Sequence, residues 1–337
     1  MSMSSTQVPS PLPRAASTRW RDRAILGGLL LLVVGGLVGL AAATGWEETM
    51  AEISKLSLWQ FGVLLVLSLV NYGFRALRWH IFARRLGLPT GLWQDMRHFL
   101  GGFAMSVTPG RVGELVRMRW IRRETGWPFE RTAPLVLVDR ASDLASTALI
   151  LGIALAFSAT GIAGGLPVTV LALAGAVIAT RPRMLSGAAD LGFRILGIWP
   201  RLFARIRSAA RSLARFSSPS AMLFATGLGV IGWVAECYAF HLLLMWMGAD
   251  IGLAKAFAIF IFATLAGGLT GAPGGVGGAE AAMIALLALD GVPLAMSVPA
   301  TAIIRVTTLW FAIGIGLLIF PMAERLSLKE DHDLETH

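Results

Sequence analysis

Asp139, Arg140 and Asp143 place three ionisable side chains within five positions of an otherwise apolar stretch. On a helix Asp139 and Asp143 share a face at i, i+4, while Arg140 projects about 100° away. Charges in apolar surroundings are costly unless paired, so these side chains are expected to face a polar interior. A structural ion pair and a functional cluster stand as equal readings. A metal site is the weaker one, because no His joins the carboxylates locally. Asn71, Arg75 and Arg78 fall at i, i+4 and i+7 and also share one helix face. Arg78 reads as an interfacial residue snorkelling beside Trp79, whereas Arg75 lies a turn deeper. Glu236 and Arg305 are lone ionisable residues in two further apolar stretches. The economical reading pairs them with each other, or with Asp139 and Arg140. The sharper one gives them a proton or a headgroup to handle. His241 reads as interfacial.

Two Gly-rich turns could recognise an anion. After Pro109 and Gly110 come Arg111, Glu114 and Arg117 at steps of three, which would line one side of a half-helix with alternating charge. The free N–H groups at such a helix start favour a phosphate. The second turn, Gly271 to Glu280, contains Pro273 and five glycines, among them Gly274, Gly275 and Gly277, and offers similar N–H groups. Close helix packing also selects glycine and is the competing explanation.

The elements that hold these residues follow from composition. The chain of 337 residues is 55% hydrophobic and 15% charged, with a mean hydropathy of +0.69. A soluble core could not shelter that much apolar surface, so the expected class is an all-α, polytopic integral membrane protein. Six full spans are expected, over 24–43, 57–79, 132–157, 162–180, 221–247 and 293–320. The first is too long for a signal-peptide core and reads as an uncleaved helix. Two other apolar stretches, 92–121 and 254–289, are broken by Pro and Gly. Neither half supplies the ~20 residues needed to cross about 30 Å of hydrocarbon. Each reads as a re-entrant helix hairpin, tolerable only where protein or a watery cavity covers its turn.

The two hairpins repeat each other at an offset of about 165 residues. Gly101-Gly102-Phe103 with Pro109-Gly110 parallels Gly267-Gly268-Leu269 with Pro273-Gly274. Asn71 then matches Glu236, and Arg140 lies 29 residues after Arg111 as Arg305 lies 30 after Gly275. The expected organisation is a disordered segment 1–18 and one transmembrane domain, 19–322. That domain comprises repeat 1 (57–157), a basic amphipathic cytoplasmic connector (181–215) and repeat 2 (221–320), before a polar tail, 323–337. The positive-inside rule puts both termini in the cytoplasm, and the hairpins then enter from opposite sides, as in an inverted repeat. Chance similarity of Gly-rich sequence is the alternative.

The net charge of +9 reflects this topology, since Lys55 and Lys255 are the only basic residues on predicted outer segments. It calls for anionic lipid as partner and not for nucleic acid. Trp46, Trp59, Trp79, Trp93, Trp120, Trp127 and Trp246 sit near predicted span ends and read as interfacial belts. Cys237 is the single cysteine, and CxxC, HExxH and Walker sequences are absent, so no cofactor or metal is expected.

Three motifs carry a resemblance: Thr108-Pro109-Gly110-Arg111-Val112-Gly113-Glu114, Asp139-Arg140-x-x-Asp143, and Thr270-Gly271-Ala272-Pro273-Gly274-Gly275-Val276-Gly277. In order and spacing they resemble the flippase-like family. That family includes the transmembrane region of lysylphosphatidylglycerol synthases and UPF0104-type and hopanoid-associated membrane proteins. The resemblance spans roughly 20–320. It implies a bacterial or archaeal cytoplasmic-membrane protein that moves or helps handle lipids. The aminoacyl-transferase domain of the synthases has no counterpart in this sequence, so synthase activity is not implied.

The leading expectation is a translocase for an anionic phospholipid or a polyprenyl-phosphate or hopanoid-type lipid, and not an enzyme. Arg75, Arg111, Arg117, Arg140 and Arg305 would attract the headgroup, with Asn71, Glu114, Asp139, Asp143 and Glu236 orienting them. The alternatives are an embedded enzyme using Asp139 and Asp143, and a scaffold for lipid-synthesis enzymes. Oligomeric state is not legible.

Overall fold

The computed structural model describes residues 56–106, 112–158, 165–196 and 219–335, with the isolated positions 47, 51, 54 and 162. The described residues are helices and the short turns between them. In chain order the helices are α1 (Leu58–Leu86), α2 (Leu92–Gly101), α3 (Val112–Thr125), α4 (Phe129–Phe157), α5 (Gly165–Thr180), α6 (Pro182–Leu196), α7 (Pro219–Met247), α8 (Leu253–Leu269), α9 (Gly278–Leu289), α10 (Leu294–Arg305) and α11 (Phe311–Glu335). A 3-10 turn, Gly102–Met105, follows α2, and another, Pro273–Gly275, separates α8 from α9. A π-helical turn, Val306–Trp310, joins α10 to α11 into one continuous span.

Local chemistry sets the ends of these helices. Ser57 starts α1 in a capping box with Gln60, whose side-chain oxygen accepts from the Ser57 N–H at 2.7 Å. At the other end Leu88 N–H donates to the Ala83 carbonyl at 3.0 Å, with Gly87 in the left-handed region, which closes the helix. Arg84 and Arg85 in that last turn complement the helix dipole.

Among the described residues four segments are long and apolar enough to cross a membrane: Leu58–Leu86, Phe129–Phe157, Met222–Met247 and Leu294–Glu330. The protein is therefore an integral membrane protein with several apolar helices. The predicted span 24–43 and the segment 1–18 lie outside the described residues. The stretch 162–180 does not form the full span expected of it. Its helix, α5, has 16 residues, about 24 Å, because Pro182 disfavours helix at Arg181 and itself opens α6. The polar tail from 323 is largely helical. It continues α11 as helix to Glu335, with Ala323 and Ser327 fully buried. Of the connector 181–215, residues 182–196 form α6 and the rest lies outside the described residues.

The packing crosses over between the halves of the chain. α1 lies along α7; α4 packs against α7 and α8; α11 packs against α2, its following 3-10 turn and α3. The last span of the second half thus covers both helices of the first pair, and that of the first half lies on α8 of the second. Glycine permits the closest contacts. A Cβ on Gly316 of α11 would collide with the Phe103–Ala104 backbone, and one on Gly267 of α8 would stand 2.7 Å from Ala279 Cβ. The two larger apolar clusters among the described residues are these. One gathers Leu64, Ile150, Leu243, Ile259 and Ile304, and the other Ala76, Trp79, Phe82, Phe99 and Leu135. Leu223, Leu318 and Phe224 face outward, as a lipid solvent allows.

Candidate anion site between the spans

Five charged side chains of α1 and α4 meet where the two helices face each other. Arg78 Nη2 lies 2.7 Å from both Asp139 Oδ1 and Asp143 Oδ1, and its Nε donates to Asp139 Oδ1 at 3.1 Å. Arg75 Nη2 reaches Asp143 Oδ2 at 2.7 Å. Arg140 Nη2 reaches Asp139 Oδ2 at 2.9 Å, and its Nη1 lies 3.4 Å from Asp143 Oδ2. Trp233 of α7 donates its indole N–H to Asp143 at 3.3 Å and lies under the Arg75 guanidinium, 5.1 Å from centroid to Cζ. Asn71 accepts from Arg75 at 3.3 Å. Such charges persist in an apolar interior only because each carboxylate meets several guanidinium donors.

The cluster grades from sealed to accessible. The Arg78 and Asp139 side chains are 0% and 1% exposed, those of Arg75 and Asp143 both 11%, and that of Arg140 28%. Among the described side chains of α1 and α4, three guanidinium groups face two carboxylates, one formal positive charge more than the aspartates offset. Buried donors also remain without a hydrogen-bond partner among the described residues, namely Asn71 Nδ2, Arg75 Nε and Arg78 Nη1. Excess positive charge with spare donors is a chemistry for oxyanions. Among the described residues no three His, Cys, Asp or Glu side chains gather as a metal site requires.

Several expectations change. Arg78 does not snorkel to the interface; it is the fully buried centre of the cluster, because α4 supplies two carboxylates at its level. Arg140, although turned from the aspartate face, reaches both aspartates, since its long side chain spans the angle. Arg305 pairs with neither Glu236 nor Asp139. Its Nε donates to Glu280 at 2.6 Å and its Nη2 to the Gly274 carbonyl at 3.0 Å, tying α10 to the second turn. Glu280 also accepts the Gly277 N–H at 2.7 Å. Gly274, Gly275 and Gly277 all take positive φ there. Arg117 is buried over the rings of Phe99, Trp79 and Phe103, at 4.4, 5.3 and 5.7 Å. Pro109, Gly110 and Arg111 lie outside the described residues, as does the side chain of Glu114. Glu236 is buried beside the cluster on α7.

Sequence reading missed Arg78 and Glu280. The i, i+3 spacing of Arg75 and Arg78 signalled a shared face for the first. Nothing local signalled the second.

Both helix pairs are clasped at their open ends. In the first, Glu124 of α3 meets Arg97 and His98 of α2, both at 2.7 Å, and accepts from Gln94. In the second, Lys255 of α8 lies 3.0 Å from Asp290 after α9. Burial pushes the Glu124 carboxyl up, but the hydrogen bond and charge of His98, with Gln94 and Arg97, outweigh it and hold the group below its ordinary value. Beside it, burial raises Asp95 despite its contacts to His80 and Thr90.

Comparison with known proteins agrees with this architecture. Residues 25–316 match the family described as the lysylphosphatidylglycerol synthase TM region. A UPF0104 membrane protein of Methanothermobacter thermautotrophicus is 26% identical over 325 residues, covering 86% of this chain and 94% of that protein. A second UPF0104 membrane protein of that organism is 28% identical over 108 residues, 32% of this chain and 31% of its own.

Proposed function

The chain belongs to the lysylphosphatidylglycerol synthase TM-region family, and from that premise we propose that it is a translocase for anionic lipid. The excess guanidinium charge of the Arg75–Arg78–Arg140 cluster carries the reading. A phosphate headgroup enters beside Arg140 and Arg75, the accessible members, while its acyl chains stay in the bilayer. Arg78 and the aspartates hold these guanidinium groups in place. An anionic phospholipid or a polyprenyl-phosphate or hopanoid-type lipid is the substrate class, and lipid-synthesis enzymes are the partners that would supply it.

The helix pairs α2–α3 and α8–α9 act as re-entrant hairpins of an inverted repeat. Their clasped ends support this, because a clasp holds both open ends of a pair on one side. The crosswise packing of α4 on α8 and of α11 on α2 and α3 supports it further. With Arg84, Arg85, Arg97, Arg122 and Arg123 at its open end, the first pair enters from the cytoplasm of a bacterial inner membrane. Engagement of both aspartates by arginines favours positioning over catalysis or metal binding.

The test is reconstitution into vesicles with a fluorescent phosphatidylglycerol. The wild-type protein is expected to accelerate its exchange between leaflets, and R140Q to lose most of that acceleration. No acceleration for any anionic or polyprenyl lipid overturns the reading.

A further inference from the structure

Five carboxylates are buried among the described residues: Asp95, Glu124, Asp139, Asp143 and Glu236. Four have a His or Arg partner, through the His80–Asp95, Arg97–Glu124, Arg78–Asp139 and Arg75–Asp143 pairs. Glu236, 5% exposed, has no ion pair or side-chain hydrogen bond among the described residues.

Its surroundings are charged but already engaged. Trp233, one turn before Glu236 on α7, touches both Asp143 and Arg75. Arg75 and Tyr72 of α1, Asp143 of α4 and Arg305 of α10 act on Glu236 electrostatically, with Cys237 next to it in sequence. Arg75 is committed to Asp143, and Arg305 to Glu280. Lys255, the one ionisable residue of α8, is committed to Asp290. The Arg305–Glu280 pair is balanced, whereas the Arg75–Arg78–Arg140 cluster carries one positive charge over its aspartates. An ionised Glu236 cancels that charge. A protonated Glu236 leaves it to a ligand.

We propose that Glu236 is a proton site linked to anion binding, taking up a proton when an anionic phosphodiester headgroup enters beside Arg75 and Arg140. This rests on the lipid-translocation reading. The proton comes from water and returns to it when the headgroup leaves, so the only bond made or broken is the Glu236 O–H. An unpartnered buried carboxylate is more costly as an anion than as an acid, and the headgroup competes for the charge that would offset that cost. Linkage is reciprocal: lipid binding raises proton affinity, and acid tightens lipid binding.

Calorimetry of the full-length protein in neutral detergent tests this, titrating short-chain phosphatidylglycerol in buffers of different ionisation enthalpy. The wild type is expected to take up a fraction of a proton approaching one per lipid, with affinity falling as pH rises. E236Q is expected to bind with no uptake and no pH slope, and E236D to retain both and so control for folding. Equal uptake in E236Q, no uptake in the wild type, or equal uptake with short-chain phosphatidylcholine overturns the proposal. Proton-linked binding by a wild-type protein that moves no lipid in vesicles overturns translocation instead, and leaves the proton site standing.

Discussion

The two halves of this chain place arginine in similar positions of their last spans and use it differently. In the first half Arg140 belongs to a cluster of five charges between α1 and α4, where it reaches Asp139 and Asp143. In the second half Arg305 points at its own half's turn, held by Glu280 and the Gly274 carbonyl. A guanidinium in the first half keeps part of its surface accessible beside spare donors. In the second it serves as a brace. A similarly placed arginine therefore does not imply a similar set of contacts. What differs is where the nearest carboxylate sits: on α1's neighbour α4 in one half, within α9 in the other.

The largest effect is expected at Arg78. Replacing it with Met leaves two carboxylates buried beside only Arg75 and Arg140, and breaking a buried pair is destabilising by about 3–5 kcal/mol. A thermal denaturation series in detergent should show R78M as the least stable single variant. Equal stability of R78M and R140Q would remove the distinction between sealed and accessible members.

Next comes the brace. R305Q and E280Q should each destabilise by about 2–3 kcal/mol, since each strands a largely buried partner. The double variant should lose far less than the sum. Additive losses would mean that Arg305 and Glu280 do not act as a pair.

R140Q sharpens the contrast from the functional side. Its side chain is 28% exposed and its ion pairs are shared, so stability should fall by about 1 kcal/mol or less. Lipid exchange in vesicles should fall at least about tenfold, equivalent to roughly 1.4 kcal/mol in the barrier. A stability loss equal to that of R305Q would make Arg140 a second brace.

The smallest effect separates the two clasps by pH. Glu124 is held below its ordinary value of 4.5, so its stabilisation is complete above that value and is lost as pH falls below it. Hydrogen exchange of α2 and α3, corrected for intrinsic rate, should accelerate below about pH 4.5, and this acid response should be absent in E124Q. An unchanged response in E124Q would assign it to another group.

Much of the architecture was legible in sequence because lipid makes hydrophobicity a direct readout of helices. The runs behind α1, α4, α7 and α10–α11 are long, and a span needs little else to be recognised. Breaks by Pro and Gly marked both helix pairs. The failures came where a local rule met a tertiary partner. Glu324 in the supposed tail accepts from Arg119, Arg123 and the Trp120 indole, and so keeps α11 helical and packed past Pro321. Arg78 looked interfacial because helical spacing gives direction around an axis but no knowledge of what the facing helix carries.

Composition and periodicity by themselves determined that this chain lives in lipid, where its long helices fall, and that Asn71, Arg75 and Arg78 share a face, as do Asp139 and Asp143. These follow from the chain's own spacing and from the cost of apolar surface in water. Tertiary structure alone decided which charges meet: that Arg78 rather than Arg140 is the sealed centre, that Arg305 takes Glu280, and that Glu236 has no ion partner among the described residues. Pairing is a property of two helices at once, set by depth and rotation, and neither is written in the residues of either helix taken separately.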